Sequence, residues 1–176
     1  MSAALGGPVL TGPLGLLDRF VGMIDRVSYW FILLAMGAMT ILVSLQVFYR
    51  YALNSSIDFA DEASRFFFVT AIFLALPHGI RRGVHVGIDL FVNMLPKGAQ
   101  TAIFRGTCAA SAVLMIVVLW TGIIATSDKW GELMPTLEVS AGLYYIPVVV
   151  TGLHGFIHLV LLAIVGPALL INESEI

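Results

Sequence analysis

The sequence predicts an all-α integral membrane protein with four transmembrane helices and a short interfacial amphipathic helix. Of its 176 residues 59% are hydrophobic and 11% are charged, whereas a soluble domain is about half apolar and about a quarter charged. Charged residues are absent from four long runs, at residues 27–49, 66–80, 106–127 and 139–172. A bilayer core of about 30 Å needs about 20 helical residues, so three of these runs can span it unaided.

The four spans belong to a single predicted membrane domain covering residues 1–176. Its N-terminal surface segment, residues 1–26, places acids and bases on adjacent helical faces and predicts a short surface helix. The first span is expected at residues 27–50, with Tyr29 and Trp30 where an interfacial aromatic belt would lie. The remaining spans are expected at residues 58–80, 99–127 and 140–167.

The second span needs its acidic start in order to cross the membrane. Residues 66–80 supply only 15 uncharged positions, whereas a helix that starts at Asp58 and ends at Ile80 has 23 residues. Acids in its first turn also suit the positive end of the helix dipole. Because proline lacks a backbone N–H, we expect Pro77 to end or kink this helix just before His78.

The segment between the second and third spans, residues 84–95, is too short to cross a bilayer. It holds His85, Asp89 and Asn93 among apolar residues and stops at Pro96. This pattern predicts an amphipathic segment that lies along the membrane interface.

Orientation follows from the basic residues, because cytoplasmic loops carry an excess of them. With four spans, both termini share one side with the segment that joins spans two and three. That side holds Arg19, Arg26, Arg81, Arg82, Lys97 and Arg105, and the other holds Arg50, Arg65 and Lys129. We therefore expect both termini in the cytoplasm.

A cluster of charges surrounds the start of the second span. Its members are Arg50, Asp58, Asp61, Glu62 and Arg65. The last four follow the i, i+3, i+4, i+7 spacing that places them on one helical stripe. An ionisable group at membrane depth usually faces protein or a wet cavity and has a partner. We favour a structural or inter-subunit role, with Arg50 reaching across to this stripe. A solvated helix end and direct substrate or ion binding are the alternatives.

The histidines are the other candidate site. His154 and His158 share one face of the fourth span, and His78 lies at comparable depth. Such residues can ligate haem b between helices or pass protons, but we favour hydrogen bonds between helices. The chain shows no phosphate loop, nucleophile motif or zinc-ligand spacing, so no enzyme activity is predicted. Its net charge of −2 gives no reason to expect nucleic acid.

A set of residues around the second span follows a characteristic order and spacing: Arg50, Tyr51, Phe59, Asp61, Glu62, Arg65, Arg81, Arg82, Gly83, His85, Leu95 and Pro96. Through these residues the chain resembles the small membrane subunit of tripartite ATP-independent periplasmic (TRAP) transporters, the DctQ-like family. Two of them depart from the family pattern. Phe59 stands where tryptophan is common, and Asp61 is shorter than the frequent glutamate.

The resemblance implies a heterodimer in a bacterial inner membrane. A large multi-span subunit would carry the sodium and substrate sites, and a periplasmic substrate-binding protein would deliver an organic acid. The small subunit would extend the fixed scaffold, with its motif residues in structural or interface roles. It would need no cofactor of its own, although lipid could be bound between the subunits. A haem b-bearing anchor of a respiratory enzyme and a stand-alone four-helix channel or carrier are the alternatives.

Overall fold

The computed structural model describes residues 13–81 and 96–166, and within them four long helices form a bundle. The helices are α1 (Pro13–Ala52), α2 (Asp58–Arg81), α3 (Lys97–Asp128) and α4 (Ile146–Val165), with a 3-10 helix at Ala141–Tyr145 leading into α4. All four are long and apolar enough to cross a membrane. The predicted all-α membrane fold is therefore confirmed. The predicted interfacial segment, residues 84–95, lies outside the described residues.

Helix α1 is one unbroken helix of 40 residues. The sequence predicted a separate surface helix before a span that begins at Val27, and the structure shows no such separation. Pro13 is tolerated in the first turn, and the charged residues that follow it are compatible with a helix. Val21 is only 1% exposed, so α1 already packs against the bundle before the predicted start of the span.

Helices α2 and α4 form the centre of the bundle. Helix α1 packs mainly against α2, and α3 packs mainly against α4, while α2 and α4 pack against each other. The core at one end consists of Ile80, Cys108, Ala112, Leu159 and Leu162. Cys108 and Ala112 belong to a run of small residues on α3, which permits close packing between helices.

A close approach between α3 and α4 involves Gly152 of α4. A Cβ atom built at Gly152 would lie 2.9 Å from the backbone N and Cα atoms of Leu119 in α3. Gly122 of α3 is likewise buried, and a Cβ there would lie 3.2 Å from a methyl group of Val149. Small residues therefore set the distance between α3 and α4.

Helix α2 continues past Pro77 to Arg81. Of the two expected outcomes, an end or a kink just before His78, the first is therefore wrong. Proline has no N–H to donate to the carbonyl four residues earlier, which is that of Phe73. The Thr151 hydroxyl of α4, in a side chain that is only 1% exposed, donates to this carbonyl over 2.6 Å. A neighbouring helix thus supplies the missing donor.

The four helices alternate in direction, which defines two ends of the bundle. The Asp25 end holds the first turns of α1 and α3 and the last turns of α2 and α4. Here Arg105 of α3 donates to the carbonyl of Ile164 in α4 over 3.4 Å. The Glu62 end holds the start of α2 and the loop of residues 129–140 between α3 and the 3-10 helix.

Candidate functional site

A carboxylate on α1 joins three helices at the Asp25 end. One oxygen of Asp25, Oδ2, pairs with the guanidinium of Arg81, the last residue of α2. The other, Oδ1, lies 2.9 Å from Nε2 of His154 and 3.0 Å from Nε2 of His158, both on α4. The Asp25 side chain is 13% exposed. We call these four residues the Asp25 cluster.

The two histidines of the Asp25 cluster are almost fully enclosed, with side chains 3% and 5% exposed. They stand one helical turn apart, and their Nε2 atoms are 3.1 Å from each other. Both Nε2 atoms therefore face the same carboxylate oxygen. The other ring nitrogen of His154, Nδ1, is buried and has no hydrogen-bond partner among the described residues.

A serine and a third histidine support the cluster from α1 and α2. The Ser28 hydroxyl donates to the backbone carbonyl of Asp25 over 3.0 Å and lies 2.7 Å from Nε2 of His78. The ring centroid of His78 is 6.2 Å from that of His154. The sequence placed three histidines at comparable depth, and the structure brings them together around groups of α1. The Nε2 atoms of all three face protein hydrogen-bonding partners.

Sequence reasoning missed Asp25, which it assigned to the surface helix. Asp25 and His158 are separated by 133 positions, and nothing in the local pattern connects them. One signal was present. Two histidines on one face of a charge-free span require a polar partner, and Asp25 lies on the side of the bundle where α4 ends.

Glu62 ties α2 to the loop of residues 129–140 at the other end. Its Oε2 atom accepts hydrogen bonds from the Thr136 backbone N–H over 2.8 Å and from the Thr136 hydroxyl over 2.5 Å. The Tyr144 hydroxyl donates to the backbone carbonyl of Glu62 over 2.9 Å. Glu62 therefore has a hydrogen-bonding partner, as expected for an ionisable group at membrane depth. This partner is a loop threonine and not an arginine.

The neighbouring charges of the predicted stripe are open to the surroundings. Asp61 and Arg65 form the expected i, i+4 pair at 3.3 Å, but their side chains are 69% and 70% exposed. An exposed pair of this kind contributes at most about 1 kcal/mol. These two charges are therefore available to contact another molecule.

Three further motif residues lie exposed near the Glu62 end. Tyr51 is 80% and Phe59 is 47% exposed, and Arg50 is exposed as well. Among the described residues, no carboxylate lies within ion-pair distance of Arg50. The expected ion pair between Arg50 and the acids of α2 is therefore not formed among them. Arg50 occupies the last turn of α1, where a cation suits the negative end of the helix. Arg82 and His85 lie outside the described residues.

The loop that Glu62 holds is itself ordered by internal hydrogen bonds. Ser140 donates to the carbonyl of Trp130 over 2.8 Å, and the backbone N–H of Met134 donates to the carbonyl of Val139 over 2.8 Å. Lys129 pairs with Glu132 at 2.7 Å, and this hydrogen bond raises the pKa of the exposed Lys129 ammonium. The loop thus presents a defined surface beside the start of α2.

The sequence of this chain matches a known protein family. Residues 39–168 match the family described as Tripartite ATP-independent periplasmic transporters, DctQ component. The matched region contains Arg81, His154 and His158 but not Asp25. The family match therefore includes only part of the Asp25 cluster.

Curated relatives carry names from the same family. The C4-dicarboxylate TRAP transporter small permease protein DctQ of Vibrio cholerae is 28% identical over 99 residues, covering 54% of this chain and 43% of that protein. A putative TRAP transporter small permease protein of Haemophilus influenzae is 27% identical over 118 residues, covering 67% and 73%. The ectoine TRAP transporter small permease protein TeaB of Halomonas elongata is 22% identical over 141 residues, covering 78% and 70%.

The chain thus spans less than half the length of the Vibrio relative and about seven-tenths of the other two. The family match, by contrast, covers well over half of this chain and includes α2, α3 and α4. The resemblance carried by the motif residues is therefore confirmed, and the chain belongs to the DctQ family of TRAP transporter small permease proteins.

Proposed function

We propose that this chain is the small scaffold subunit of a sodium-coupled, binding-protein-dependent TRAP transporter that imports an organic acid. It would pair with a large multi-span subunit in a bacterial inner membrane. The family match over residues 39–168 is the observation that carries this proposal. Two relatives are named for chemically different solutes, a C4-dicarboxylate and ectoine. This supports assigning the choice of substrate to other parts of the transporter.

The distribution of polar groups supports a scaffold role. Residues 66–80 of α2 and 106–127 of α3 contain no charged side chain, and the Asp25 cluster and Glu62 lie toward opposite ends of the bundle. A carrier usually places ionisable groups or broken helices near the middle of the membrane. A bundle closed by ionic and hydrogen-bonded contacts at its ends is better suited to stay fixed while a partner moves. We therefore place the sodium and substrate sites on the large subunit.

The exposed part of the motif supplies the contact surface for that partner. Glu62 and Arg81 already bind groups within this chain. The motif residues left exposed are Arg50, Tyr51, Phe59, Asp61 and Arg65. Helix α1 adds apolar area, since only 6% of its most apolar window is buried. We assign this surface to the large subunit, with lipid filling gaps between the two chains.

The proposed orientation places both termini in the cytoplasm, as the excess of arginine and lysine at the Asp25 end predicts. The Glu62 end would then face the periplasm. Its ordered loop, with exposed acids beside it, lies on the side from which a periplasmic binding protein would approach. Docking of that protein near residues 129–140 is therefore part of the proposal.

Co-purification and transport test this assignment. The chain would be expressed with an untagged large subunit, isolated through its own tag, and reconstituted with the binding protein under an inward sodium gradient. We expect the large subunit to co-purify and uptake to require both chains. Tyr51→Ala should weaken co-purification, whereas Trp120→Ala, which changes an aromatic that is 67% exposed on α3, should not. Uptake by the large subunit without this chain, or by this chain alone, would contradict the scaffold role.

The haem anchor is the second candidate, and it depends on the histidines of the bundle. Haem b needs two imidazoles with free ring nitrogens facing each other across helices. Here Nε2 of His78 faces Ser28, and the Nε2 atoms of the α4 histidines face Asp25, which argues against a haem iron between these rings. A Soret band in the purified chain would support the haem anchor instead.

A further inference from the structure

The Asp25 cluster brings three potential metal ligands to one point, and the scaffold role does not use them. The atoms are Oδ1 of Asp25 and the Nε2 atoms of His154 and His158. Their pairwise separations are 2.9, 3.0 and 3.1 Å. They form a nearly equilateral triangle supplied by two helices that make few direct contacts with each other.

We propose that this triangle binds a divalent transition-metal ion, with Zn²⁺ as the first ion to test. Bonds from such an ion to nitrogen or oxygen are about 2.1 Å long. Two adjacent ligands are then about 3.0 Å apart in an octahedral shell and about 3.4 Å apart in a tetrahedral one. The observed triangle matches one face of an octahedral shell, and a tetrahedral site needs each edge to lengthen by only a few tenths of an ångström.

The donor atoms select the class of ion. Two imidazole nitrogens and one carboxylate oxygen suit zinc, iron, nickel or cobalt, whereas calcium and magnesium prefer shells made of oxygen. Three protein ligands also leave positions open for water. The sequence places the two histidines on one face of a helix but does not connect them to Asp25, which lies 129 residues before the first of them.

The placement of the two ring nitrogens favours an ion over a simple hydrogen-bonded pair. The Nε2 atoms of His154 and His158 are 3.1 Å apart and face the same oxygen. Two N–H groups aimed into this space would crowd each other, so without an ion the two rings compete for one acceptor. A metal ion is bound by the unprotonated nitrogen of each ring. It would therefore satisfy all three atoms at once.

Groups around the triangle hold it in place. Arg81 binds Oδ2 of Asp25 and so leaves Oδ1 turned toward the histidines, as outer-shell partners of metal-binding carboxylates do. The Arg81 charge opposes a cation, but the carboxylate offsets it, and the guanidinium is 23% exposed. An ion can therefore reach the cluster from this end.

Metal binding by the complete chain tests the proposal without the large subunit, so its outcome is separate from that of the transport experiment. The chain would carry a tag without histidines, be stripped with a chelator, and be titrated with Zn²⁺ against a chromophoric competitor. We expect one zinc ion per chain. Cobalt substituted for zinc should give visible absorption bands from coordinated nitrogen and oxygen ligands.

Matched variants identify the ligands. His158→Gln and Asp25→Asn should each weaken zinc binding by more than the roughly 10- to 100-fold that loss of an outer-shell partner costs. Asp61→Asn is the control, since this exposed carboxylate lies at the opposite end of the bundle, and it should bind zinc as the parent does. Size-exclusion chromatography would show that each variant stays folded. Failure of the folded parent to bind zinc, or equal binding by the parent and both ligand variants, would overturn the proposal.

Discussion

Asp25 of α1 and Arg81 of α2 form an ion pair across 56 positions of the sequence, with side chains 13% and 23% exposed. The pair lies where α1 and α2 pack together, so it connects the start of one helix to the end of the next. Breaking a buried pair by removing one partner costs about 3–5 kcal/mol, because the other charge stays behind uncompensated. The partial exposure of Arg81 places the expected cost near the lower end of that range.

The first prediction is that one substitution in this pair destabilises the protein more than two substitutions do. Asp25→Asn should lower the thermal unfolding temperature in detergent more than the double variant with Arg81→Gln does, since the double variant also removes the arginine charge that Asp25 balances. The expected interaction free energy is about 1–3 kcal/mol. Asp61→Asn with Arg65→Gln is the control cycle, because that exposed pair should show almost no coupling. Simple additivity of the two changes at Asp25 and Arg81 would contradict this account.

The second prediction concerns the hydrogen bond from Thr151 to the carbonyl of Phe73. Thr151→Val keeps the shape of the side chain but leaves this buried carbonyl without a donor, at a cost of about 0.6–2 kcal/mol. Pro77→Ala restores a backbone N–H to α2 that can donate to the same carbonyl. Thr151→Val should therefore cost less stability in the Pro77→Ala background than in the parent. The same loss in both backgrounds would show that Thr151 does not substitute for the missing proline donor.

The third prediction concerns the contact between Gly152 and Leu119. Gly152→Ala should destabilise the protein by about 1–3 kcal/mol, because its methyl group would meet backbone atoms that cannot move aside alone. Gly106→Ala is the matched control in α3, where a Cβ atom would have nothing within 4 Å. That change should be neutral or stabilise by up to about 1 kcal/mol, since alanine favours helix. Thermal unfolding of the two variants side by side decides whether α3 and α4 are as close as described.

The fourth prediction concerns Glu62, which holds Thr136 of the loop. Glu62→Gln and Thr136→Val should both speed backbone hydrogen exchange in residues 129–140, because each removes a hydrogen bond that anchors this loop. Arg65→Gln should leave the exchange unchanged, since the ion pair of Arg65 is with the exposed Asp61 and not with the loop. Complex yield and uptake would be measured for Glu62→Gln, Arg65→Gln and their combination. Parent-like exchange and transport in all of these variants would mean that the charges only solvate a helix end.

The features that sequence predicted well are those that depend on local pattern. The lengths of charge-free runs predicted four helices, and the need for length placed the start of α2 at Asp58, where the structure has it. The sequence could not place Asp25 at the bundle interface, because its partners are 56, 129 and 133 positions away. Sequence also did not identify Thr136 as the partner of Glu62, because the expected partner was an opposite charge and Thr136 is a neutral residue 74 positions away. Sequence also does not show that Thr151 of another helix donates to the Phe73 carbonyl, which Pro77 leaves without a backbone donor.

The last prediction concerns the direction in which the bundle crosses the membrane. Ser55 lies exposed in the connection between α1 and α2, and Gly98 lies exposed in the first turn of α3. They therefore mark opposite ends of the bundle. Single cysteines at these positions, in a Cys108→Ser background, would be labelled in intact cells with a reagent that does not cross the inner membrane. The excess of basic residues at the Asp25 end predicts that Ser55→Cys reacts from outside and Gly98→Cys only after the membrane is opened. The reverse pattern would invert the orientation, and equal labelling of both from outside would contradict the four-span topology itself.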